Sequence, residues 1–296
     1  MILVTGAGGK TGRMLIKALS NVESVCAFVH REEQVPRVKS LGAEKVLVGD
    51  MRDGVAIRAS MQGARAVYHI CPNMSPDEEL IGKLVLKAVL DSGVEHLVYH
   101  SVLHPQTEKM PHHWAKLRVE EIIFESDLPY TIMQPAPYMQ NLLANWKSIL
   151  EDGVLRIPYS INSKFSFVDL EDVAEAAGIV VNDPNHYNTI YELSGTMPMS
   201  HVEVAYVFER LLDIAVQAVK EDIGDWKRRA STTVAKKDRD QQQAEYAIEN
   251  LVRMFEYYDR WGLAGNSNCL RWLLQRQPNS LESFIERTVK EHNVLD

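Results

Sequence analysis

The chain opens with an apolar segment, a turn that holds four glycines, and a run of apolar residues at helical spacing. These segments are residues 1–4, 6–12 and 14–19. A strand that passes through a glycine turn into a helix brings free backbone N–H groups and the positive end of the helix dipole to one point. This order predicts a site for the pyrophosphate of a nucleotide at the start of the chain.

The residues of the turn decide between two kinds of nucleotide site. A triphosphate-binding loop ends in Gly-Lys-Thr, as residues 9–11 do, but it also needs a glycine where Val4 stands. The dinucleotide spacing is complete: Gly6 permits the tight turn, Gly9 the close approach of a phosphate, and Gly12 the packing of helix on strand. A dinucleotide site is therefore predicted. Its expected contacts are Gly6, Gly8, Gly9, Lys10, Thr11 and Gly12.

Composition and charge exclude several other classes of protein. The chain has 296 residues and a net charge of −8, which predicts one large or two unequal domains and argues against nucleic acid as the main partner. Its three cysteines lack C-x-x-C spacing, and no apolar run approaches the length of a membrane span. Because the first strand begins at Met1, no room is left for a signal peptide. We expect a cytoplasmic protein without a membrane or metal partner.

Apolar runs alternate with helical patterns through the first half of the chain. After the first strand, strands are predicted over residues 24–29, 45–48, 66–70, 97–100 and 130–133. Between them, helices are predicted over residues 35–41, 56–61, 78–92 and 117–125. This alternation indicates right-handed βαβ units, so the fold class is α/β, a Rossmann-type doubly wound parallel sheet. In such a sheet the ligand lies beyond the carboxyl ends of the strands.

Residues that follow the second, third and fourth strands are candidates for contacts with the cofactor. Arg31 suits the 2′-phosphate of NADP(H) better than the bare ribose of NAD(H), which favours an acidic residue. The alternative is that Arg31 is a solvated surface residue beside the two glutamates that follow it. Asp50 and Met51 are expected to flank the adenine, and Cys71 and Pro72 to run beneath the ribose. The thiol of Cys71 is expected to be buried rather than reactive.

The second half of the chain is predicted to supply the substrate side. Short strands are expected over residues 153–159 and 165–168, a return strand over 189–193, and helices over 173–180, 202–212, 244–258 and 281–289. Asp169 and Asp172 belong in a first helical turn and Ser200 precedes one, so all three are interpreted as capping residues. The charge-dense stretch 227–243 is interpreted as a solvated loop or helix.

These elements predict two domains. Residues 1–150, with 164–182 and 188–195 returning to them, form an NADP(H)-binding Rossmann domain. Residues 151–163 and 196–296 form a smaller, mostly helical domain for the substrate or a partner.

Several segments, in their order along the chain, resemble the atypical short-chain dehydrogenase/reductases and, within them, the NmrA-like family. They are the glycine turn, Arg31, residues 48–50, the helix with Lys116 and Glu120, and residues 134–141, 167–174, 254–263 and 270–274. The resemblance covers most of the chain. It implies a bound dinucleotide, with Pro135 and Tyr138 of the proline-containing segment among its contacts.

Typical short-chain reductases carry Tyr-x-x-x-Lys, in which the Tyr exchanges a proton and the Lys lowers the pKa of the Tyr. Here Lys116 is present, His112 stands at the Tyr position, and Ser101 follows the fifth strand, as in such enzymes. The NmrA-like family commonly lacks the Tyr, so these three residues are the implied catalytic candidates; a His with a pKa of about 6.5 suits proton donation. The alternatives are a surface lysine paired with Glu120 and an exposed loop with His112 and His113. Substrate contacts are expected from His104, His113, Trp114, Tyr138 and Met139.

The predicted function is reduction by NADPH of a small aromatic or conjugated acceptor, such as a quinone, enone, imine or carbonyl. Such acceptors need a bound nicotinamide and little help from an acid, which suits a site without the Tyr. No G-x-S-x-G elbow indicates a hydrolase, and no H-E-x-x-H motif indicates a metal site. The alternative is a non-catalytic NADP(H)-binding redox sensor that binds a protein partner. A monomer or a homodimer is expected.

Overall fold

The computed structural model describes residues 1–234 and 241–293. Its strands are β1 Ile2–Val4, β2 Val25–Val29, β3 Lys45–Val48, β4 Ala66–His69, β5 His96–His100, β6 Tyr130–Pro135, β7 Val154–Ile157, β8 Thr189–Leu193 and β9 Gln217–Lys220. Its α-helices are α1 Lys10–Leu19, α2 Val35–Ser40, α3 Gly54–Ser60, α4 Glu78–Ser92, α5 Pro111–Phe124, α6 Trp146–Asp152, α7 Leu170–Asn182, α8 His201–Leu212, α9 Ile223–Val234, α10 Gln241–Trp261, α11 Ser267–Leu274 and α12 Leu281–Asn293. Short 3-10 helices cover Glu32–Gln34, Met139–Asn145 and Pro184–His186.

Seven strands form one sheet in the order β3-β2-β1-β4-β5-β6-β8. The first six strands of this order pair in parallel, and Val4 of β1 lies between Ala27 of β2 and Tyr68 of β4. The chain runs outward from β1 to β3 and then returns to β4, so the strand order reverses between β1 and β4. This is the order of a Rossmann-type doubly wound sheet, and the predicted fold class is confirmed. A ligand of such a sheet binds beyond the carboxyl ends of β1 and β4.

The central strands are buried along their whole length. Every residue of β1, β2, β4 and β5 is buried, as expected for a parallel sheet that helices cover on both faces. One core cluster joins Leu3, Val67 and Leu97 of these strands to Ile81 of α4 and Ile123 of α5. This packing fixes α4 and α5 beside the ends of β4 and β5, where the candidate site lies.

Contact density divides the chain into two compact units. The first comprises residues 1–108, 112–134 and 173–191, and the second comprises residues 109–111, 135–172 and 192–296. The second unit holds the two-stranded sheet of β7 and β9 and the helices α8 to α12, so it is mostly helical. Residues 109–111, 135–150, 164–172 and 192–195, which the sequence assigned to the Rossmann domain, lie in the second unit. Which ligand each unit binds stays a prediction.

Residues 165–168 do not form the predicted strand. Phe165 exchanges two backbone hydrogen bonds with Met199, of 2.9 and 2.8 Å, whereas Val168 N donates to the Pro137 oxygen at 3.1 Å. Because successive residues pair with different segments, they form isolated bridges and no continuous ladder. All four residues of this segment are buried, so the alternation of apolar and polar residues that predicted a strand matches neither a strand ladder nor an alternation of burial.

Helix α5 begins at Pro111 rather than at residue 117. Proline is favourable in a first helical turn because its fixed φ suits the helix and its missing N–H would have no helical partner. The first turn of α5 therefore holds His112 and His113, which are 5% and 2% exposed. The alternative that these two residues lie exposed in a loop is wrong.

Two of the three predicted capping residues, Asp169 and Ser200, are confirmed, whereas Asp172 instead accepts hydrogen bonds from Arg276 and from Asn279 N, both at 2.7 Å. Asp169 accepts a hydrogen bond from Glu171 N (3.1 Å) at the start of α7, and Ser200 Oγ accepts one from Glu203 N (3.2 Å) at the start of α8. The charge-dense stretch belongs in part to α9 and α10, while residues 235–240 lie outside the described residues. None of the helices in the described ranges is long and apolar enough to cross a membrane.

Candidate active site

The glycine turn connects β1 to α1 at the point where the strand order reverses. Gly6 has a φ of +60°, and a Cβ there would lie 2.6 Å from the carbonyl oxygen of Ile70. A Cβ on Gly12 would lie 2.5 Å from the Gly6 oxygen. The backbone itself therefore requires glycine at these two positions. A Cβ on Gly9 would meet only the Gly6 oxygen, at 3.3 Å, so this position is less crowded than Gly6 and Gly12.

The amino end of α1 offers backbone donors to an anion. Gly9 is the residue before this helix, and no side chain caps the helix there. The N–H groups of a first turn have no helical partners, and together with the helix dipole they attract negative charge. Lys10 is exposed in this turn and Thr11 is half-buried. The turn fits the pyrophosphate of a dinucleotide.

Three arginines lie at this edge of the sheet. Arg13 of α1 donates from Nε to the Gly9 oxygen at 3.2 Å. Burial and the repulsion of Arg37 in α2 lower the pKa of Arg13, so these two like charges lie near each other. Arg31 follows β2 and is half-buried. In a chain with a net charge of −8, such a cluster favours an anion like a 2′-phosphate. Sequence reasoning missed Arg13 and Arg37, because only the fold brings α2 to α1.

A glutamine that sequence reasoning also missed joins this edge of the sheet to the turn. The Oε1 atom of Gln34 accepts hydrogen bonds from His30 N (3.0 Å) and Arg31 N (3.1 Å). Its carboxamide packs against Gly8, where a Cβ would lie 2.4 Å from Nε2. The end of β2 and the glycine turn therefore share one side chain.

The other residues predicted beside the cofactor differ in their surroundings. Asp50 forms a two-pronged ion pair with Arg52, at 3.1 and 2.7 Å, and these hydrogen bonds lower the pKa of Asp50. Met51 is buried in the core of the first unit. Burial raises the pKa of the Cys71 thiol well above its usual range, which keeps the thiol protonated and unreactive. Pro72 is exposed.

Lys116 is a buried lysine with a carboxylate partner. Its Nζ donates to Glu78 Oε1 at 2.9 Å and to the His100 oxygen at 3.1 Å, and it lies 5.1 Å from the centre of the Tyr99 ring. The alternative of a surface lysine paired with Glu120 is therefore wrong. The His100 oxygen marks the carboxyl end of β5, so the ammonium group lies at the edge of the sheet where a ligand binds.

Glu78, the partner of Lys116, is the first residue of α4 and is 1% exposed. The Tyr99 hydroxyl also donates to its Oε1, at 2.8 Å. Burial and the nearby Glu78 carboxylate raise the pKa of Tyr99, so this phenol stays protonated at neutral pH. Glu78 Oε2 has no hydrogen-bond partner among the residues that the structure describes. Sequence reasoning missed Glu78, because a favourable interaction with the helix dipole already explains an acidic residue in a first helical turn.

Ser101 belongs to a second buried group around Glu120. The Ser101 hydroxyl donates to Glu120 Oε1, and Gln134 Nε2 donates to both carboxylate oxygens at 3.0 Å. Burial raises the pKa of Glu120, while these hydrogen bonds and the charge of Lys116 oppose that shift. On α5, His112, Lys116 and Glu120 are four residues apart and so form one stripe on a single face.

The histidines near the start of α5 are not solvated. Burial lowers the pKa of His113 to about 4, so its ring is neutral at pH 7. Its Nδ1 lies 3.3 Å from the His104 oxygen, and the rings of His112 and His113 meet edge to face at 6.2 Å. His104 has a φ of +54°, and Trp114 is half-buried. The structure thus brings His104, His112 and His113 together with Lys116 on or beside α5.

The remaining predicted contacts lie in the second unit. Pro135 ends β6, and Tyr138 precedes the 3-10 helix of residues Met139–Asn145. Met139 is buried, and its N–H donates to the Val168 oxygen at 2.9 Å. Their contacts with a cofactor or a substrate stay predictions. Within residues 1–234 and 241–293, no three His, Cys, Asp or Glu side chains come together so as to hold a metal ion.

A comparison with family models adds to this geometry. The model of the NmrA-like family matches residues 1–287. The chain belongs to the NmrA-like family. This membership agrees with the resemblance that the sequence motifs carried.

Known proteins similar to this NmrA-like chain include two reductases. NAD(P)H azoreductase of Xenophilus azovorans is 27% identical, over 69% of this chain and 71% of the relative. Quinone oxidoreductase 2 of Escherichia coli (strain K12) is 26% identical, over 69% of this chain and 72% of the relative. The fold is similar to that of triphenylmethane reductase of Citrobacter sp., solved with NADP(H): the TM-score is 0.80 at 20% identity, over 96% of this chain and 99% of that one.

Proposed function

We propose that this NmrA-like protein is an NADP(H)-dependent oxidoreductase that reduces a small aromatic or conjugated acceptor, such as a quinone, enone, imine or carbonyl. The glycine turn carries the proposal: it opens at the switch between β1 and β4, leaves space at Gly9 and has no side-chain cap on α1. The names of the relatives refer to quinones, azo compounds and triphenylmethane dyes. These acceptors share an extended π system.

The chain's own residues divide the work of holding the cofactor. The backbone of the turn and the first turn of α1 hold the pyrophosphate. Arg31, with Arg13 and Arg37 nearby, holds the 2′-phosphate. When bound, NADPH supplies a hydride from its nicotinamide. Lys116, whose ammonium group lies at the carboxyl end of β5, would contact the nicotinamide end of the cofactor.

Lys116 is the strongest candidate for orienting the reactants. An ammonium group has three donors, and two of them are used by Glu78 and the His100 oxygen. The third serves the nicotinamide ribose or the acceptor's developing negative charge. His112, at the position of the usual Tyr, is the candidate proton source, and Ser101 is a weaker one because its hydroxyl already donates to Glu120.

The test is turnover of NADPH by the purified protein with a panel of quinones, enones, imines and azo dyes. We expect oxidation of NADPH above the protein-free background with at least one of them, and slower oxidation of NADH. Binding of NADPH without any oxidation would overturn the reductase and favour the redox sensor, which the His at the Tyr position also suits. His112→Ala then tests the proton source. This change should slow the reduction of carbonyls and imines more than the reduction of quinones.

A further inference from the structure

Gln34 has a side chain that the fold holds in one place. It ends the 3-10 helix after β2, and its backbone N–H donates to the Arg31 oxygen at 3.1 Å. Its Oε1 accepts from the backbone of both His30 and Arg31, at 3.0 and 3.1 Å. Two donors on one oxygen fix the carboxamide at the carboxyl end of β2. In a dinucleotide-binding sheet this is the end that meets the ribose of the adenosine.

The other side of the carboxamide faces the glycine turn. A Cβ on Gly8 would lie 2.4 Å from Nε2, 2.5 Å from Cδ and 2.9 Å from Oε1 of Gln34. The carboxamide therefore packs on Gly8, and a side chain at position 8 would have to displace it. The carboxamide lies between the turn and the end of β2, so any group bound to both is close to it.

The charges around this position are mostly positive. Arg31 stands three positions before Gln34 in the chain, and its backbone N–H donates to the Gln34 carboxamide. Arg13 donates to the Gly9 oxygen of the same turn, and Arg37 of α2 lies near enough to Arg13 to lower its pKa. The two acidic residues next to Gln34 in the chain, Glu32 and Glu33, are exposed. Gln34 is thus a neutral polar group placed among cations.

We infer that Gln34 determines the preference of this protein for NADP(H) over NAD(H). The inference rests on the proposed NADP(H) site. A neutral carboxamide accepts the two backbone donors and adds no negative charge beside the arginines that attract a 2′-phosphate. A carboxylate in the same place would accept the same donors but would repel that phosphate. It would also accept a hydrogen bond from the 2′-hydroxyl of NAD(H), as acidic residues at this end of a strand do.

Gln34→Glu tests this inference with almost no change of shape. We expect the Kd for NADPH to rise at least about tenfold, while the Kd for NADH stays the same or falls. Titration of each cofactor by fluorescence measures both values without any need for turnover. Raising the salt concentration should reduce the difference, because it screens the repulsion of the phosphate.

Two control variants separate the effect of an added negative charge from the effect of its position at residue 34. Gln62→Glu adds the same charge in the exposed turn before β4, at the amino edge of the sheet, and should leave both Kd values unchanged. Gln34→Ala removes the acceptor for His30 N and Arg31 N, and should weaken both cofactors with a smaller change in their ratio. A ratio of NADPH to NADH affinity within about twofold of wild type in Gln34→Glu would overturn the inference. So would an equal shift in Gln62→Glu.

The outcome is independent of the acceptor. If the wild type binds NADPH but reduces no acceptor, the reductase fails and the titrations still decide the role of Gln34. If the wild type binds neither cofactor, the proposed site and this inference are both wrong.

Discussion

Among single residues, the glycines of the turn differ in whether the packing of the backbone requires them or only a bound ligand would. A Cβ on Gly12 would meet the Gly6 oxygen at 2.5 Å and Ala7 Cα at 2.6 Å, and these backbone atoms yield only if α1 moves away from β1. A Cβ on Gly9 would meet one oxygen at 3.3 Å, and Gly9 has a φ of −75°, which any residue adopts. The fold therefore needs glycine at position 12 but not at position 9.

We expect Gly12→Ala to lower the free energy of unfolding by about 2 kcal/mol, a common cost of forcing atoms into a packed region. Gly9→Ala should change it by less than about 1 kcal/mol. It should nevertheless weaken NADPH binding at least about tenfold, because its methyl group takes the place of the phosphate. Urea unfolding and cofactor titration measure the two effects. A Gly9→Ala protein that binds NADPH like the wild type would show that no phosphate approaches Gly9.

Lys116 is the second residue whose replacement separates two roles. Lys116→Met leaves the Glu78 carboxylate buried without its cation, and breaking a buried pair in this way costs about 3–5 kcal/mol. The double variant with Glu78→Gln removes both charges and keeps an acceptor for the Tyr99 hydroxyl, so we expect it to recover most of this loss. Urea unfolding of the wild type, Lys116→Met, Glu78→Gln and the double variant gives the coupling energy between Lys116 and Glu78.

A coupling energy near zero would contradict the buried pair. Turnover of the double variant then shows whether activity is lost with the ammonium group itself or with the stability of the fold.

Among elements, α12 is attached to the start of α7 through Arg287. Asp169 is fully buried and accepts hydrogen bonds from Arg287, from Asn279 Nδ2 (3.1 Å) and from Gln140 Nε2 (2.6 Å). Glu171, whose side chain is 41% exposed, accepts from the other nitrogen of Arg287 at 2.9 Å. One arginine thus has one buried and one exposed partner.

Asp169→Asn should lower the free energy of unfolding by about 2–3 kcal/mol, because the buried end of Arg287 loses its countercharge. Glu171→Gln should lower it by less than about 1 kcal/mol, as for exposed ion pairs. Each change is isosteric and removes one charge beside the same arginine, so denaturation curves of the two variants compare a buried carboxylate that has several hydrogen-bond donors with an exposed one that pairs with Arg287. Equal losses would contradict this account of α7 and α12.

The pattern of apolar residues predicted most elements but not all of their ends. Strand β3 and helix α4 have the predicted bounds. A short apolar run followed by Gly49-Asp50 indicates the strand, and apolar residues that recur every three or four positions indicate the helix. The start of α5 was missed, since His112 and His113 interrupt the apolar pattern and are buried all the same. At residues 165–168 the pattern was present, but no single neighbouring strand pairs with them.

Over the whole molecule, buried histidines make stability depend on pH. Burial lowers their pKa values, to about 3 for His69 and His100 and to about 4 for His96, His113 and His201. Below a pH of about 6.5 the unfolded chain binds protons that the folded protein does not. Each neutral buried histidine makes its full contribution to the free energy of unfolding above that pH. As the pH falls toward 4, this contribution is lost at about 1.4 kcal/mol per pH unit. The raised pKa values of Glu120 and Asp172, caused by burial, oppose this trend.

The free energy of unfolding should therefore fall between about pH 7 and about pH 5, with a slope steeper than one ionising group produces. Urea unfolding at constant salt measures the slope, and equal stability at both ends would contradict neutral buried histidines. His96→Gln is the matched variant, because its amide can replace the hydrogen bond of Nε2 with Thr131 Oγ1 (2.9 Å) but does not titrate. In His96→Gln, the free energy of unfolding should fall with pH less steeply than in the wild type. The difference in slope should be what one proton contributes, about 1.4 kcal/mol per pH unit.

The sequence by itself determined the α/β class, the place of the dinucleotide turn and the resemblance to the NmrA-like family. These follow from spacings among residues that are close in the chain, which local periodicity and glycine geometry control. Only the tertiary structure decided the partner of Lys116, which is Glu78, 38 positions away, and the contact of Gln34 with Gly8. Such contacts depend on which strands and helices are neighbours, and the packing of the whole core determines that.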